Sequence, residues 1–321
     1  MKIALDLNGG DFSPEETLKA IPYAIKKGFL RQEEIAAVGT SDALSALRDR
    51  NFPGISYYES QEIVGMGDTA GIALKKRKSS ISQGMRFLSD EKIHAFVTAG
   101  NTAATVAWAT VTAGRVFRWV RPAIAVPLPN VLGPCILLDA GASPACTPEH
   151  LLFFALMGSI YCTNVFGIQA PKVGLINMGS ESSKGSSESK TAYRLIEERQ
   201  AHFGASFDFI GNIEGDEILK SDVNVAVTSG LVGNLLLKFG EGLIHQVQNK
   251  LGIIWKIAKW LDSFHNNTDY KSIGGAALLG INGLVIIAHG KSSHKAVAHA
   301  LKTAKRLAEL DVIYQIKSRL A

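Results

Sequence analysis

Residues 3–11 read Ile-Ala-Leu-Asp-Leu-Asn-Gly-Gly-Asp, an apolar run that ends in a polar turn. The apolar run predicts a buried β-strand. Pro14, Glu15 and Glu16 come next, and proline with acidic side chains favours the first turn of a helix over residues 14–27. A strand, a loop and a helix in this order are the repeating unit of an α/β fold.

The same unit recurs along the chain. Five further apolar runs are each followed by a polar or glycine-containing loop: residues 95–98, 136–138, 173–176, 223–227 and 284–288. Helices are predicted over 148–160 and 186–200, and a long helix or a helix pair over 294–320. We therefore predict a largely parallel sheet with helices on both faces. Ligands of such sheets bind beyond the carboxyl ends of the strands, so the six loops are expected to converge on one site.

The composition is that of a globular protein. The chain has 321 residues, of which 46% are apolar and 20% charged. A single catalytic domain over residues 1–321 is expected, with two lobes that share a sheet as the alternative. The formal net charge of +5 favours anionic partners, namely phosphate groups, an acidic carrier protein or anionic lipid. Nucleic acid is not expected, because no basic stripe is interleaved with stacking aromatic side chains.

The sequence lacks the motifs of several common kinds of functional site. Cys135, Cys146 and Cys162 have no zinc-site spacing, and three cysteines suit the reduced thiols of a cytosolic protein. No metal-ligand cluster, Walker A loop or nucleophile elbow is found, so no metal and no cofactor are expected. The N-terminus reads as a strand and not as a signal peptide, and no apolar stretch reaches the roughly 20 residues of a spanning helix. A cytoplasmic or membrane-peripheral protein is expected.

Two segments place cations near hydroxyl groups. Residues 75–80 read Lys-Lys-Arg-Lys-Ser-Ser, and this combination suits phosphate or an acidic carrier protein. Residues 177–185 place Lys184 in a polar loop after a predicted strand. An ammonium group there neutralises phosphate or the oxyanion formed when a thioester is attacked. A solvated helix face and an ordinary loop lysine are the alternatives.

Taken together, these loops resemble the phosphate acyltransferase family of bacterial phospholipid synthesis. The matching motifs run in order over nearly the whole chain, and their number and spacing make the resemblance specific. They are residues 3–11, 78–80, 99–102, 121–125, 137–142, 148–151, 173–179, 184–185, 209–215, 233–234, 237–238, 274–276, 278–280 and 289–290.

The resemblance implies a Rossmann-like three-layer αβα sandwich, akin to the isocitrate and isopropylmalate dehydrogenases, and a homodimer. It implies that acyl-[acyl carrier protein] and inorganic phosphate are converted to acyl-phosphate and free carrier protein, without a cofactor or metal. The product then feeds phospholipid synthesis at the inner face of the cell membrane.

On this basis, candidate site residues are assigned. Lys184, Asn212 and Asn234 are assigned to catalysis. Phosphate and substrate binding are assigned to residues of the strand-end loops and the basic segment: Asn8, Gly9, Gly10, Asp11, Lys78, Ser79, Ser80, Gly100, Asn101, Thr102, Asp139, Gly141, Asn177, Gly185, Glu214, Ser229, Gly230 and His289.

Residues 240–268 are expected to form a protruding amphipathic helical segment. Apolar residues recur there at helical spacing, with lysines off the stripe, as in helices that lie in a membrane surface. The residues expected to touch the membrane are Ile254, Trp255, Ile257, Trp260 and Leu261. A dimer or core helix is the alternative.

The chain also departs from the family pattern. Ser229 stands where the family usually has an acidic residue, and residues 143–146 lack a second aspartate. A degenerate homologue that binds acyl groups or membranes without catalysis is therefore one alternative. A phosphotransacylase acting on short-chain acyl-coenzyme A is another, and a nicotinamide dehydrogenase of the same fold is a distant third.

Overall fold

The computed structural model describes residues 1–128, 130, 132–200, 207–220, 222–243, 246 and 274–320. Eleven strands in these ranges form one sheet in the order β3-β2-β1-β4-β11-β10-β5-β6-β9-β7-β8. The strands are β1 Ile3–Asp6, β2 Ile35–Gly39, β3 Ser56–Glu59, β4 Ala95–Thr98, β5 Ala123–Leu128, β6 Cys135–Leu138, β7 Lys172–Ile176, β8 Asp208–Ile213, β9 Val225–Val227, β10 Ala276–Leu279 and β11 Leu284–Ile287.

Helices connect and cover these strands. They are α1 Glu15–Lys26, α2 Ser41–Arg48, α3 Ala70–Ala73, α4 Ser80–Ser89, α5 Thr102–Trp108, α6 Pro148–Phe166, α7 Ser187–Arg199, α8 Glu217–Lys220, α9 at 230–243, α10 His294–Glu309 and α11 Val312–Leu320. A π-helix at Ala109–Ala113 continues α5, and a short 3₁₀ turn at Gln32–Glu34 precedes β2.

Alternating burial along the strands produces the three layers. Ile3 and Leu5 pack into one hydrophobic cluster with residues of α1, α6 and α10, whereas Ala4 packs into a second cluster with residues of α4 and α5. Successive side chains of a strand point to opposite faces, so each strand feeds both clusters. The predicted α/β sandwich with helices on both faces is confirmed.

The four regions of predicted helix are confirmed, with one difference in length. Helix α6 continues six residues beyond the expected end at residue 160 and stops at Gly167, which adopts a left-handed φ of 74°. Most of the inner turns of α6 are buried on all sides, so the sequence contains no polar residue that marks an earlier end of the helix. The last region forms the helix pair α10 and α11.

The sheet consists of two parallel blocks that run in opposite directions. Strands β3, β2, β1, β4 and β11 form one block, and β6, β9, β7 and β8 form the other. Three successive antiparallel pairings, β11 with β10, β10 with β5 and β5 with β6, reverse the direction between the blocks. The carboxyl ends of all six predicted strands therefore do not share one edge, as a single parallel sheet would require.

Strand β5 joins the two blocks, because each half of it pairs with a different neighbouring strand. Its first half, Ala123–Ala125, pairs with β10, and its second half, from Val126 to Leu128, pairs with β6. The register places Ala125 opposite Ala277, which in turn lies opposite Ile286 near the carboxyl end of β11. The last residue of β6 lies beside Ala125 in the same register. The carboxyl ends of β11 and β6 therefore meet at nearly the same level of the sheet.

The predicted amphipathic segment, 240–268, lies almost wholly outside the described residues. Only its first four residues, which are the last described residues of α9 before the gap, and residue 246 are described. The five residues expected to touch the membrane, Ile254, Trp255, Ile257, Trp260 and Leu261, are all outside. Within the described ranges, no helix has both the length and the apolar character that crossing a membrane needs.

Glu16 links the start of α10 to α1. Its Oε2 atom accepts hydrogen bonds from the backbone N–H of His294 at 2.6 Å and from His294 Nδ1 at 3.0 Å. These hydrogen bonds, first the backbone one and then the side-chain one, lower the pKa of Glu16 to about 2. Because the folded pKa lies below the ordinary value of 4.5, the stabilisation is complete above about pH 4.5 and is lost as the pH falls toward 2.

The substitution Glu16→Gln is expected to lower the free energy of unfolding by about 1–2 kcal/mol near neutral pH, since a charged acceptor is lost. Urea unfolding at about pH 5 and about pH 3 should show the difference between variant and wild type shrinking at the lower pH. Glu15→Gln is the matched control, because Glu15 pairs only with Lys19 on the surface of α1. An equal difference at both pH values would contradict the linkage.

Candidate active site

A cavity of about 550 Å³ lies where the two blocks meet. Strands at the seam form its floor through Ile124, Val126, Ala276 and Ile287. Its walls come from the first residues of α5, the loop after β6, helix α9 and the loop after β11: Thr102, Ala103, Ala140, Gly141, Asn234, Leu237, Lys238, Glu241, Ala288 and His289. Segments that follow four of the six predicted strands therefore meet in one place.

The loop after β1 supports this cavity from behind and does not line it. The N–H of Asp11 donates to Gly290 O at 2.8 Å, and Gly10 makes the turn possible with a φ of 111°. The side chain of Asn8 is held by Thr40, whose N–H donates to Asn8 Oδ1 at 2.8 Å. Gly9 is required because a Cβ atom there would lie 2.7 Å from Asp6 Oδ2. These predicted ligand-binding residues position the neighbouring loop after β11.

Asn101 and the basic segment do not line the cavity themselves. Asn101 caps α5 by accepting from Ala104 N at 3.0 Å, and its amide donates to three carbonyl groups of residues 65–68. Ser79 caps α4 and is fully buried, and Ser80 is also buried. Lys78 is exposed, and its backbone N–H donates to Glu62. The N–H of Gly100 donates to Thr98 Oγ1 at 2.9 Å. Of the residues in this group, only Thr102 lines the cavity.

Asp139 organises the loop that forms the opposite wall. Its buried carboxylate accepts four backbone hydrogen bonds, from the N–H groups of residues 124, 141, 142 and 143, at 2.6–3.0 Å. Gly230 N donates to Ser143 O at 2.9 Å, which joins the start of α9 to this loop. Ser229 accepts from the N–H of Gly233. Asp139 therefore holds the wall from behind, while Gly141 and Asn234 face the cavity against each other.

The loop after β7 is not part of this cavity. Asn177 Nδ2 donates to Lys184 O at 3.2 Å, and Asn212 Nδ2 donates to Glu181 O at 2.8 Å. Both amides thus hold the loop, while the Lys184 side chain is exposed and absent from the cavity lining. Gly185 packs against Asn177, and Glu214 is exposed at the end of β8. Unlike Asn234, none of these residues lines the seam cavity, and the catalytic roles of Lys184 and Asn212 stay predictions.

Lys238, Glu241 and His289 form a cluster in the cavity lining. Lys238 Nζ lies 2.8 Å from Glu241 Oε2 and 3.3 Å from His289 Nε2. His289 Nδ1 accepts the N–H of Lys291 at 3.1 Å, and this hydrogen bond orients the imidazole ring. Glu241 Oε2 accepts from Lys238 and lies 3.9 Å from His289 Nε2, so the ammonium group and the imidazole share one carboxylate neighbour. An incoming phosphate oxygen can take the place of that carboxylate.

Sequence reasoning included His289 in the site and overlooked Lys238. The sequence signal was present, because Asn234, Lys238 and Glu241 are spaced by four and three residues and so share one helix face. Lys184 was preferred because it lies in the polar loop that follows a predicted strand. Residues 237–238 were recognised only as one of the motifs that resemble the family, without a role in the site.

The cysteine near the site is not poised as a nucleophile. Cys146 Sγ donates to Ser143 O at 3.3 Å, and burial raises the pKa of the Cys146 thiol to about 11. The thiol therefore stays protonated at neutral pH, and protonated thiols are poor nucleophiles. Within the described ranges, no three side chains of the metal-binding types are grouped as ligands.

Comparison with known proteins gives consistent matches over the whole chain. A family model described as "Fatty acid synthesis protein" matches residues 1–315. A phosphate acyltransferase of Pelotomaculum thermopropionicum is 37% identical, with 100% of this chain and 95% of that protein covered. A phosphate acyltransferase of Synechococcus sp. (strain JA-3-3Ab) is 39% identical, with 100% and 90% covered.

Solved structures share the fold at low sequence identity. The EutD phosphotransacetylase from Staphylococcus aureus superposes with a TM-score of 0.60 at 17% identity, covering 96% of this chain and 94% of that one. A 4-hydroxythreonine-4-phosphate dehydrogenase from Klebsiella pneumoniae gives a TM-score of 0.53 at 12% identity, with 96% and 98% covered. These likenesses concern the fold alone.

Proposed function

This chain belongs to the phosphate acyltransferase family, and from that premise we propose that it transfers a fatty acyl group from acyl carrier protein to inorganic phosphate. The products are acyl-phosphate and free carrier protein, for phospholipid synthesis. The observation that carries the proposal is the cavity at the seam of the sheet, where the Lys238 ammonium lies 3.3 Å from His289 Nε2. Such a pair suits a phosphate dianion in an acyl-transferring enzyme.

The reaction needs one nucleophile and one oxyanion to be held. A phosphate oxygen attacks the thioester carbonyl, a carbon–oxygen bond forms, and the carbon–sulfur bond breaks as the carrier thiolate leaves. Lys238 and His289 hold the phosphate, and the Asn234 amide, beside Gly141, donates to the carbonyl oxygen as it becomes negative. Holding both reactants in one cavity removes much of the entropic barrier.

The direct test supplies purified protein with a long-chain acyl thioester of acyl carrier protein and inorganic phosphate. We expect phosphate-dependent release of the carrier thiol, together with an acyl-phosphate that hydroxylamine traps. The same assay with short-chain acyl-coenzyme A separates the proposal from a phosphotransacylase. Absence of product with either thioester would instead support the degenerate, binding-only homologue.

The basic segment is proposed as a contact for the acidic carrier protein. Lys75, Arg77 and Lys78 are exposed, and Lys76 is paired with Asp68 at 2.7 Å. Asp68, the partner of Lys76, is in turn bonded to Asn101, which directly precedes the cavity residue Thr102. An acidic partner docked there would place its thioester close to the cavity.

A homodimer is proposed because α9 exposes an apolar stripe. Leu231, Leu235, Phe239 and Leu243 recur every four residues, and each is more than half exposed. Such a stripe suits a second copy of the chain. Sedimentation as a monomer at micromolar concentration would oppose this proposal. Peripheral contact with the inner membrane through 240–268 is also proposed, and failure to co-sediment with anionic vesicles would remove it.

A further inference from the structure

We propose that a second, apolar cavity beside the candidate active site holds the hydrocarbon chain of the acyl substrate. This cavity has a volume of about 610 Å³, within the range of roughly 300–1,000 Å³ typical of ligand sites. The identity of the ligand as an acyl chain rests on the proposed function. The position of the cavity and its chemistry do not depend on it.

The two cavities share a wall. Pro127, Leu237 and Glu241 line both of them. A substrate whose carbonyl lies between Lys238 and Asn234 can therefore extend its chain past Leu237 into the apolar space. Because the two cavities adjoin at these three residues, the acyl chain of the thioester accounts for the apolar one better than an unrelated ligand.

The lining of the second cavity is mostly apolar, with Asp216 and Glu241 as its charged members. Leu236 projects from α9, Leu128 and Leu137 from the seam strands and Ile218 from α8, while the mostly exposed Phe239 stands at the open end. Leu137 and Ile218 are buried, so they close the inner end. Each methylene that leaves water for such a surface strengthens binding roughly fourfold. A surface of this kind favours long chains over short ones.

The wall opposite α9 is held in place. Asn130 is buried, and its Nδ2 atom donates to the backbone carbonyl of Ile218 at 2.9 Å. This hydrogen bond ties the short helix α8 to the segment between β5 and β6. The length of chain that fits is therefore set by fixed elements, with Leu236 as the half-buried side chain that faces them.

The test is the substitution Leu236→Trp, which fills the cavity, with Leu132→Trp as the matched control. Leu132 is mostly exposed and does not line the cavity. Binding of a fluorescent long-chain fatty acid is measured for the full-length wild type and both variants. Exclusion of about three methylenes predicts binding weakened roughly 50-fold in Leu236→Trp and unchanged in Leu132→Trp. Thermal unfolding of each variant establishes that it is folded.

Turnover then separates this inference from the proposed function. Expected is a selective loss of kcat/KM for long-chain thioesters in Leu236→Trp, with short-chain turnover kept. Equal binding of the fatty acid by wild type and Leu236→Trp, or no binding by the wild type, would overturn the acyl site. Tight, Leu236-dependent binding without turnover of any thioester would leave the acyl site standing and remove the proposed function.

Discussion

Replacement of Lys238 by alanine is expected to lower kcat/KM for phosphate-dependent acyl transfer at least about 100-fold, the usual cost of removing one donor from an oxyanion site. Lys238 is the ammonium group in the lining of the seam cavity, and it stands beside His289 and Asn234. The KM for phosphate should rise as well, since the same group neutralises the nucleophile. Steady-state kinetics with varied phosphate measures both effects.

Two companions make this result decisive. Lys19→Ala removes another exposed ammonium that pairs with a carboxylate on its own helix, and it should leave kcat/KM within about twofold. Lys184→Ala tests the ammonium that sequence analysis assigned to catalysis. Activity of Lys238→Ala near the wild-type value, with Lys184→Ala inactive, would place the chemistry at the loop after β7.

Gly233→Ala is expected to lower the free energy of unfolding by about 3 kcal/mol and to abolish activity. A Cβ atom at position 233 would lie 1.9 Å from Asp139 O and 3.2 Å from a methyl group of Thr228. The carbonyl of Asp139 cannot move aside, because its own side chain holds three N–H groups of the same loop and that of Ile124 in β5. Helix α9 must shift instead, and it carries Asn234 and Lys238 with it.

Gly242→Ala on the same helix is the matched control. A Cβ atom there meets no other atom within 4 Å. Alanine is the better helix former by about 1 kcal/mol, so this variant should be as stable as the wild type or slightly more stable. Chemical denaturation of both variants measures the contrast. Equal stability of the two would mean that α9 does not rest on the Asp139 loop in solution.

The reactive end of the substrate is expected to lie at the seam of the sheet, and its hydrocarbon chain is expected to lie along α9. One face of the helix carries Asn234, Lys238 and Glu241 toward the polar cavity. A neighbouring face carries Leu236 and Phe239 toward the apolar one. A single rigid helix thus sets the distance between the phosphate site and the start of the chain.

Much of the fold was predictable from local pattern. The apolar run at 3–5 and its turn at residues 8–11 specify a strand and a tight loop, because burial and glycine content are properties of the segment itself. Helix α6 begins as predicted, since Thr147, Pro148 and Glu149 carry the start signal. Its end was missed, because a helix buried on all sides carries no polar boundary.

The composition of the site was predictable in part, and its assembly was not. His289, Thr102, Gly141 and Asn234 follow strands, as ligand-binding residues of α/β proteins do, and the structure gathers them. Asp139 and Asn101 have the same polar character, yet backbone groups saturate their side chains. A sequence does not distinguish a carboxylate or amide that binds a ligand from one that binds its own loop.

By itself, the sequence determined the family, the alternation of strands and helices, and the chemical character of the loops. Each of these depends on the residues of short, continuous segments. Only the tertiary structure decided which loops meet. The reversal between the two blocks and the stagger along β5 arise from pairing between β5 and β10, which are far apart in the chain. Strand pairing is a non-local choice of neighbour and register, so no local pattern shows that Lys238 lines the cavity while Lys184 lies outside it.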